Sequence, residues 1–149
     1  MFIFELSTLK WEKNLNYSRI KFITMTTQEV ANRLVELCRK GNGKQAIEEL
    51  YSHEIVSVEP ESVPNRIVKG LKGIAEKGEK FQTMLEVVHS REVTDHSVAD
   101  NFFSCAMKMN VNLKGVPDPV NMDEVCVYTV NDGKIVREEF FYTPPPVAV

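Results

Sequence analysis

Asp132-Gly133 lies between two β-rich runs, Val120 to Val130 and Lys134 to Tyr142, and constrains the fold more tightly than any other stretch. A two-residue connection that matches the twist of its strands needs positive φ, which Gly adopts freely and Asp tolerates. The two runs therefore form a β-hairpin. Both faces of the hairpin are apolar, with Cys126, Tyr128 and Val130 alternating with Val125 and Val127. A sheet covered by helices on one side requires only one such set. The second set points to a dimer surface on the far side of the sheet.

Upstream, Thr26-Thr-Gln-Glu29 reads as a capping box. It opens a helix over Thr27 to Lys40 that carries Val30, Leu34, Leu37 and Cys38 on one face. Gly41-Asn42-Gly43 stops it. A second helix is expected over Lys44 to Tyr51, with Tyr51 among its buried residues and His53 at its end. Ile55 to Glu59 reads as a strand closed by Pro60, with Ile55, Ser57 and Glu59 on one face. Glu61 to Lys69 contains Pro64 and no period, so a loop is expected. Gly70 opens a third helix with Leu71, Ile74, Ala75, Gly78, Phe81 and Leu85 on one stripe. Gly78 in that stripe fits either close packing against a strand or room for a ligand. Val87 to Val98 is interrupted by Asp95-His96-Ser97 and reads as a bulged or edge strand. Phe102 to Leu113 is a long strand with Phe103, Cys105, Met107, Met109 and Val111 facing one way. Helices first and strands last imply an α+β fold, the helices covering one face of a curved antiparallel sheet.

One domain accounts for 149 residues. Residues 1–24 hold the only Trp, lack a clean helical period and precede Met25 and the capping box, so they read as an N-terminal extension, either an upstream addition before a natural start at Met25 or a loosely attached arm. The domain is expected over residues 25–143, with a Pro-rich tail over 144–149. The net charge is −3 with signs interspersed, which leaves no basic stripe to track nucleic acid. No apolar run approaches the ~20 residues that cross a bilayer. Cys38, Cys105 and Cys126 are odd in number, and no secretion signal precedes them. They read as reduced thiols in a cytoplasmic protein. No C-x-x-C or H-x-x-x-H spacing occurs, so no metal or other cofactor is expected.

The order of elements resembles the SnoaL-like, ketosteroid-isomerase-like branch of the nuclear transport factor 2-like superfamily. So do Tyr51-Ser-His-Glu-Ile-Val-Ser-Val-Glu-Pro60, Val68-Lys-Gly70 and Asn131-Asp-Gly-Lys-Ile135. The resemblance covers about Met25 to Tyr142. It implies a cone-shaped, cystatin-like fold in which a curved antiparallel sheet wraps three N-terminal helices. It also implies pairing of two copies through the sheet. The scaffold hosts isomerases, cyclases and non-catalytic binders alike, so the fold alone does not choose among them.

In ketosteroid isomerases one carboxyl is an ionised base and another is kept neutral as a donor. The base sits late in the first strand before a Pro, a position that Glu59 and Pro60 resemble; Glu124 resembles the second carboxyl. The Tyr that the family carries on its first helix has no counterpart, since Leu34 or Val35 falls near that point. Tyr128 or Tyr142 is then the expected donor. The resemblance further implies that Phe81, Cys105, Met107, Met109, Cys126, Glu138 and Phe140 line the cone. Glu138 and Glu139 are adjacent and must point oppositely, so one of them lies outside it. Two readings follow. One is acid–base chemistry of the isomerase or cyclase kind on a small apolar carbonyl compound, with Glu59 and Glu124 as the pair. The other is a non-catalytic ligand-binding or dimeric interaction module.

Overall fold

The computed structural model describes residues 23–144. The expected N-terminal extension, apart from its last two residues, and the tail beyond Pro144 lie outside the described residues. Thr26 caps α1 (Thr27–Arg39) through the anticipated box, its hydroxyl accepting from the Glu29 N–H while the Glu29 carboxylate accepts from the Thr26 N–H at 2.7 Å. Val30, Ala31, Leu34, Val35 and Leu37 bury the inner face of this helix. A second helix, α2 (Gly43–Leu50), follows.

Tyr51 does not end that helix. It begins β1 (Tyr51–Val58), and His53 is an exposed strand residue rather than a helix end. The run after Leu50 is rich in aromatic and β-branched residues, which favour a pleated surface, and Tyr51 is buried there. The expected loop also gains structure at its end. β2 (Ile67–Lys69) pairs antiparallel with β1, placing Val58 opposite Ile67. A three-residue strand carries no period of its own; the free edge of β1 supplies its partner.

Gly70, at φ 76°, starts α3 (Gly70–Met84). Then come β3 (Leu85–Val93), β4 (Ser97–Ala99), β5 (Phe102–Leu113), β6 (Val120–Asn131) and β7 (Lys134–Phe141). The main path of the sheet runs β2-β1-β7-β6-β5-β3, with β4 also paired to β5. The run expected as one bulged or edge strand over Val87 to Val98 divides into β4 and the edge strand β3. The latter already begins at Leu85, expected on the third helix, and its register slips between Leu85 and Val87 and again between Val88 and Ser90. The sheet is curved and unclosed, and it is mixed rather than wholly antiparallel, because β1 runs parallel to β7. The physical reason is connectivity. β7 is not joined to β1 by a hairpin: β2, α3 and β3 to β6 lie between them in the chain, and a long connection of this kind can set two strands side by side in parallel.

The inner face of the sheet contributes Ile55, Phe103, Cys105, Cys126, Tyr128 and Ile135 to the core, against Val30, Leu34, Leu37 and Leu50 of the helices. α3 packs on β1 and β2. Ile74 alone in that helix is fully buried, whereas Ala75, Gly78 and Met84 are exposed. Gly78 is therefore not a close-packing residue: a Cβ there would meet open space.

Two glycines give opposite expectations. Asp132 and Gly133 both have positive φ, 47° and 72°, as the hairpin turn requires. A Cβ on Gly133 would lie 2.9 Å from the Met25 nitrogen. Gly133→Ala is expected to destabilise the protein by at least about 1 kcal/mol. Gly78→Ala, in an exposed helix interior, is expected to stabilise it by about 0.5–1 kcal/mol. Urea unfolding midpoints of the two variants check both signs.

Candidate functional site

The parallel register of β1 and β7 sets Ser57 opposite Glu138 and Val58 opposite Glu139. Ser57 and Glu138 turn inward and are buried. Glu139 turns to the other side, where its carboxylate accepts from Arg137 at 2.9 Å. Glu59 follows β1 on the Ser57 side. Its N–H donates to the Arg66 carbonyl at 2.8 Å, and Arg66 Nε donates to the Glu59 carbonyl at 3.1 Å, so the backbone there is held firmly. One carboxylate oxygen accepts from the Tyr142 hydroxyl at 2.9 Å, and the other pairs with the ammonium of Lys77.

Glu124 stands on β6 opposite Met107 of β5, one strand away from Phe140 and Glu138 of β7. Cys126 Sγ donates to its Oε1 at 3.6 Å. Burial, reinforced by the charge of Glu59, pushes the Glu124 carboxyl up to about 7. Burial likewise raises Glu138, opposed by hydrogen bonds from the Tyr51 and Ser57 hydroxyls. The Tyr51 hydroxyl donates to Glu138 Oε2 at 2.5 Å. Lys77 Nζ donates to Ser57 Oγ at 3.0 Å and sits 4.5 Å from the centre of the Phe140 ring. Three carboxyls and one ammonium thus share a hollow with apolar walls.

Those walls come from Met107 and Phe140, packed against the core, with Cys105 and Cys126 buried beneath them. Met109 shares the inner face one step further along β5, and Phe81 is half-buried on α3. Tyr128 lies deeper, 2% exposed and stacked on Phe103 with ring centroids 4.7 Å apart. Burial pushes its hydroxyl well above the ordinary range. Tyr142 is raised too, by burial and by the Glu59 carboxylate. A cleft of about 350 Å³ opens beside Glu59, lined by Val58, Pro60, Glu61, Arg66, Glu139, Phe140, Phe141 and Tyr142; Glu124 and Lys77 do not line it. The carboxylate can therefore be approached from the rim.

Of the residues singled out in the sequence, the structure brings Glu59, Glu124, Glu138, Phe140, Cys126, Met107 and Tyr142 together. It sets Tyr128 in the core behind them. Lys77, Ser57 and Tyr51 were missed as site residues. For Lys77 a signal existed: it is three residues past Ile74 and four before Phe81, on the same helical face. Among the described residues no group of three His, Cys, Asp or Glu side chains has the geometry to hold a metal ion. No helix of the described residues is long and apolar enough to cross a membrane.

The raised Glu124 has a consequence for stability. Unfolded, the group titrates near 4.5; folded, near 7. Between those values the folded state holds a proton that the unfolded chain has released, so stability falls as pH rises through that window, by about 3 kcal/mol. Glu138 acts in the same direction. In Glu124→Gln the decline between pH 5 and 8 is expected to shrink by more than half, as measured by urea unfolding at the two pH values.

Comparison with known proteins agrees with this architecture. The SnoaL-like domain family matches residues 25–142. Among solved structures, a Mesorhizobium loti protein named as a SnoaL-like polyketide cyclase and carbohydrate phosphatase is 33% identical. That match covers 79% of this chain and 100% of that one, with a TM-score of 0.75. A Catenulispora acidiphila protein with a ketosteroid isomerase-like fold, solved with trimethylamine, is 17% identical over 79% of this chain and 88% of its own, with a TM-score of 0.62. TerC, co-crystallised with polyporic acid, is 18% identical over 78% and 90%, with a TM-score of 0.63. The last two share the fold alone. No curated protein matches the sequence. With almost all of the described chain inside the matched span, a cone of curved sheet around three helices and a carboxyl-lined hollow, this protein belongs to the SnoaL-like family.

Proposed function

We propose that the chain is an acid–base catalyst acting on a small, mostly apolar carbonyl compound, with Glu59 as base and Glu124 as proton donor. The observation that carries this reading is the unequal pair itself. Glu59 faces an ammonium and a tyrosine hydroxyl, while Glu124, buried against a thiol, keeps its proton up to about 7. Glu59 takes a proton from the carbon beside the carbonyl, and the C–H electrons become the enolate π bond. Glu124 donates a hydrogen bond to the oxygen as negative charge develops there. Tyr142 orients the base, and Tyr128 supports the floor of the hollow through its stack on Phe103. Return of the proton to a different carbon gives isomerisation; attack of the enolate carbon on a second carbonyl of the same molecule gives cyclisation. Side-chain acids and bases suffice for either. The polyketide cyclase name of the Mesorhizobium loti relative supports this choice of chemistry.

The test needs no known substrate. A panel of cyclic enones, 1,3-diketones and aryl ketones in D2O is followed by proton NMR for loss of the hydrogens beside the carbonyl. The wild-type protein is expected to exceed buffer for at least one class, and Glu59→Gln to slow that exchange by about 10²–10⁴-fold. Exchange no faster than buffer, or indifferent to Glu59→Gln, would sink the catalytic reading and leave a ligand-binding one.

A second observation supports a homodimer through the sheet, the interaction reading. On the outer face Phe102, Val125 and Phe141 are 47%, 47% and 56% exposed, and Val125 lies directly opposite Phe141. A patch of this kind on a sheet is better covered than wet. Sedimentation at micromolar concentration is expected to give twice the chain mass, and Val125→Glu to give the chain mass with little change in thermal stability. The free thiols of Cys38, Cys105 and Cys126 support a reducing, cytoplasmic setting.

A further inference from the structure

Lys77 has no part in the roles assigned so far, yet it stands at the centre of the carboxyl cluster. Its place is fixed from three directions: Ser57 Oγ accepts from it at 3.0 Å, Glu59 Oε1 pairs with it, and the Phe140 ring lies 4.5 Å away. The other nearby cations are engaged elsewhere. Arg66 gives its Nε to the Glu59 carbonyl, Arg137 pairs with Glu139 on the outer side, and Arg39 pairs with Asp95. Among the described residues, the Lys77 ammonium is the cation whose charge reaches both Glu124 and Glu138.

We propose that Lys77 is a positioning residue that makes Glu59 the charged carboxylate of the cluster and leaves the proton on Glu124. The assignment deepens the acid–base reading and takes its catalytic meaning from it. Its physical basis is the inequality of three environments. Glu59 touches the ammonium directly. Glu138 is satisfied by the hydroxyls of Tyr51 and Ser57. Glu124 is faced by the Cys126 thiol from its own strand and by Cys105 and Met107 of β5. Glu59 and Glu138 add like charge, Lys77 on α3 gives distant relief, and Tyr142 lies nearby. One ammonium offsets one carboxylate in a low-dielectric hollow, and the group in contact with it takes that place. Were the proton on Glu59 instead, the ammonium would meet a neutral group while a charge lay against sulfur and methionine.

Carbon-13 NMR of the side-chain carboxyls, in full-length protein labelled at Glu, reads the arrangement without any substrate. The Glu124 carboxyl, which burial raises to about 7, supplies the upper midpoint against which the variants are read. Lys77→Met and Lys77→Gln are expected to move the upper midpoint up by about 1–2 pH units, and Lys77→Arg to leave it within about 0.3. A lysine that served only to hold the helix in place would change stability and leave the midpoint alone. Glu59→Gln, which removes the neighbouring negative charge and keeps the lysine, is expected to lower the Glu124 midpoint by about 1 unit. An unmoved midpoint in folded Lys77→Gln, or a rise in Glu59→Gln, overturns the assignment. If no carbonyl compound exchanges deuterium, the catalytic reading falls and these midpoints still decide what Lys77 does. If exchange occurs and the midpoints stay put, only the Lys77 assignment falls.

Discussion

The parallel pairing of β1 with β7 is the constraint on which the remaining structure depends. It joins the start of the fold to its end, setting Tyr51 beside Ile135 and Ser57 beside Glu138. Three polar contacts of the hollow follow from that register: Tyr51 on Glu138, Tyr142 on Glu59, and Ser57 between Lys77 and Glu138. A slip of one residue would carry Ser57 and Glu59 to the outer face and leave Glu138 buried without donors. The pairing closes a very long loop, which costs chain entropy before it returns any contact. What secures it is the crossover. α3 lies across β1 and β2, buries Ile74, and brings Lys77 to Ser57 on β1.

The hollow is costly for the same reason that it is useful. An isolated carboxylate in an apolar environment carries a desolvation penalty, and like charges in one site raise it. Two devices contain the cost. Glu138 accepts from the Tyr51 hydroxyl, and the Ser57 hydroxyl also favours its charged form. Glu124 keeps a proton to about 7, which removes its charge from the hollow near neutrality. A neutral carboxyl beside a charged one supplies a donor and an acceptor in one place, which two equal carboxylates could not do. The penalty that remains in mild alkali is stability surrendered to the site rather than to the fold.

Local chemistry made much of this legible. The Asp132-Gly133 turn, the Thr26–Glu29 box and the alternation of β5 and β6 each follow from a few neighbouring residues, whereas the placing of Glu124 with Cys126 and Met107 comes from the family resemblance. Contacts that depend on register between distant segments were not legible. Nothing in β1 alone says that it lies beside β7, so Tyr51 read as a helix residue and its bond to Glu138 was out of reach. β2 is too short to announce itself. Lys77 escaped because a helical stripe is sought among apolar residues, and a lysine whose stem crosses that stripe is passed over, although its spacing from Ile74 and Phe81 marks the face. Gly78 misled in the other direction: the stripe it joins is real at Ile74 but turns to solvent within a turn.

The outer and inner faces of the sheet are linked by the same alternation. Val125 is bonded in sequence to Glu124 and Cys126, and Phe141 to Phe140 and Tyr142. Val125 and Phe141 of the patch are therefore each the reverse side of residues that line the hollow. Strands sharing a ladder resist independent bending, so a surface pressed on Val125 and Phe141 bears on the backbone that positions Glu124, Phe140 and Tyr142. Further along, toward the hairpin turn, β6 and β7 depart from regular pairing, with a register slip between Thr129 and Val130. Covering the outer face would remove apolar surface from water and narrow the motion of the two strands at once. In the acid–base reading proposed above, that second effect would matter, because a donor and a base act together only while their separation holds.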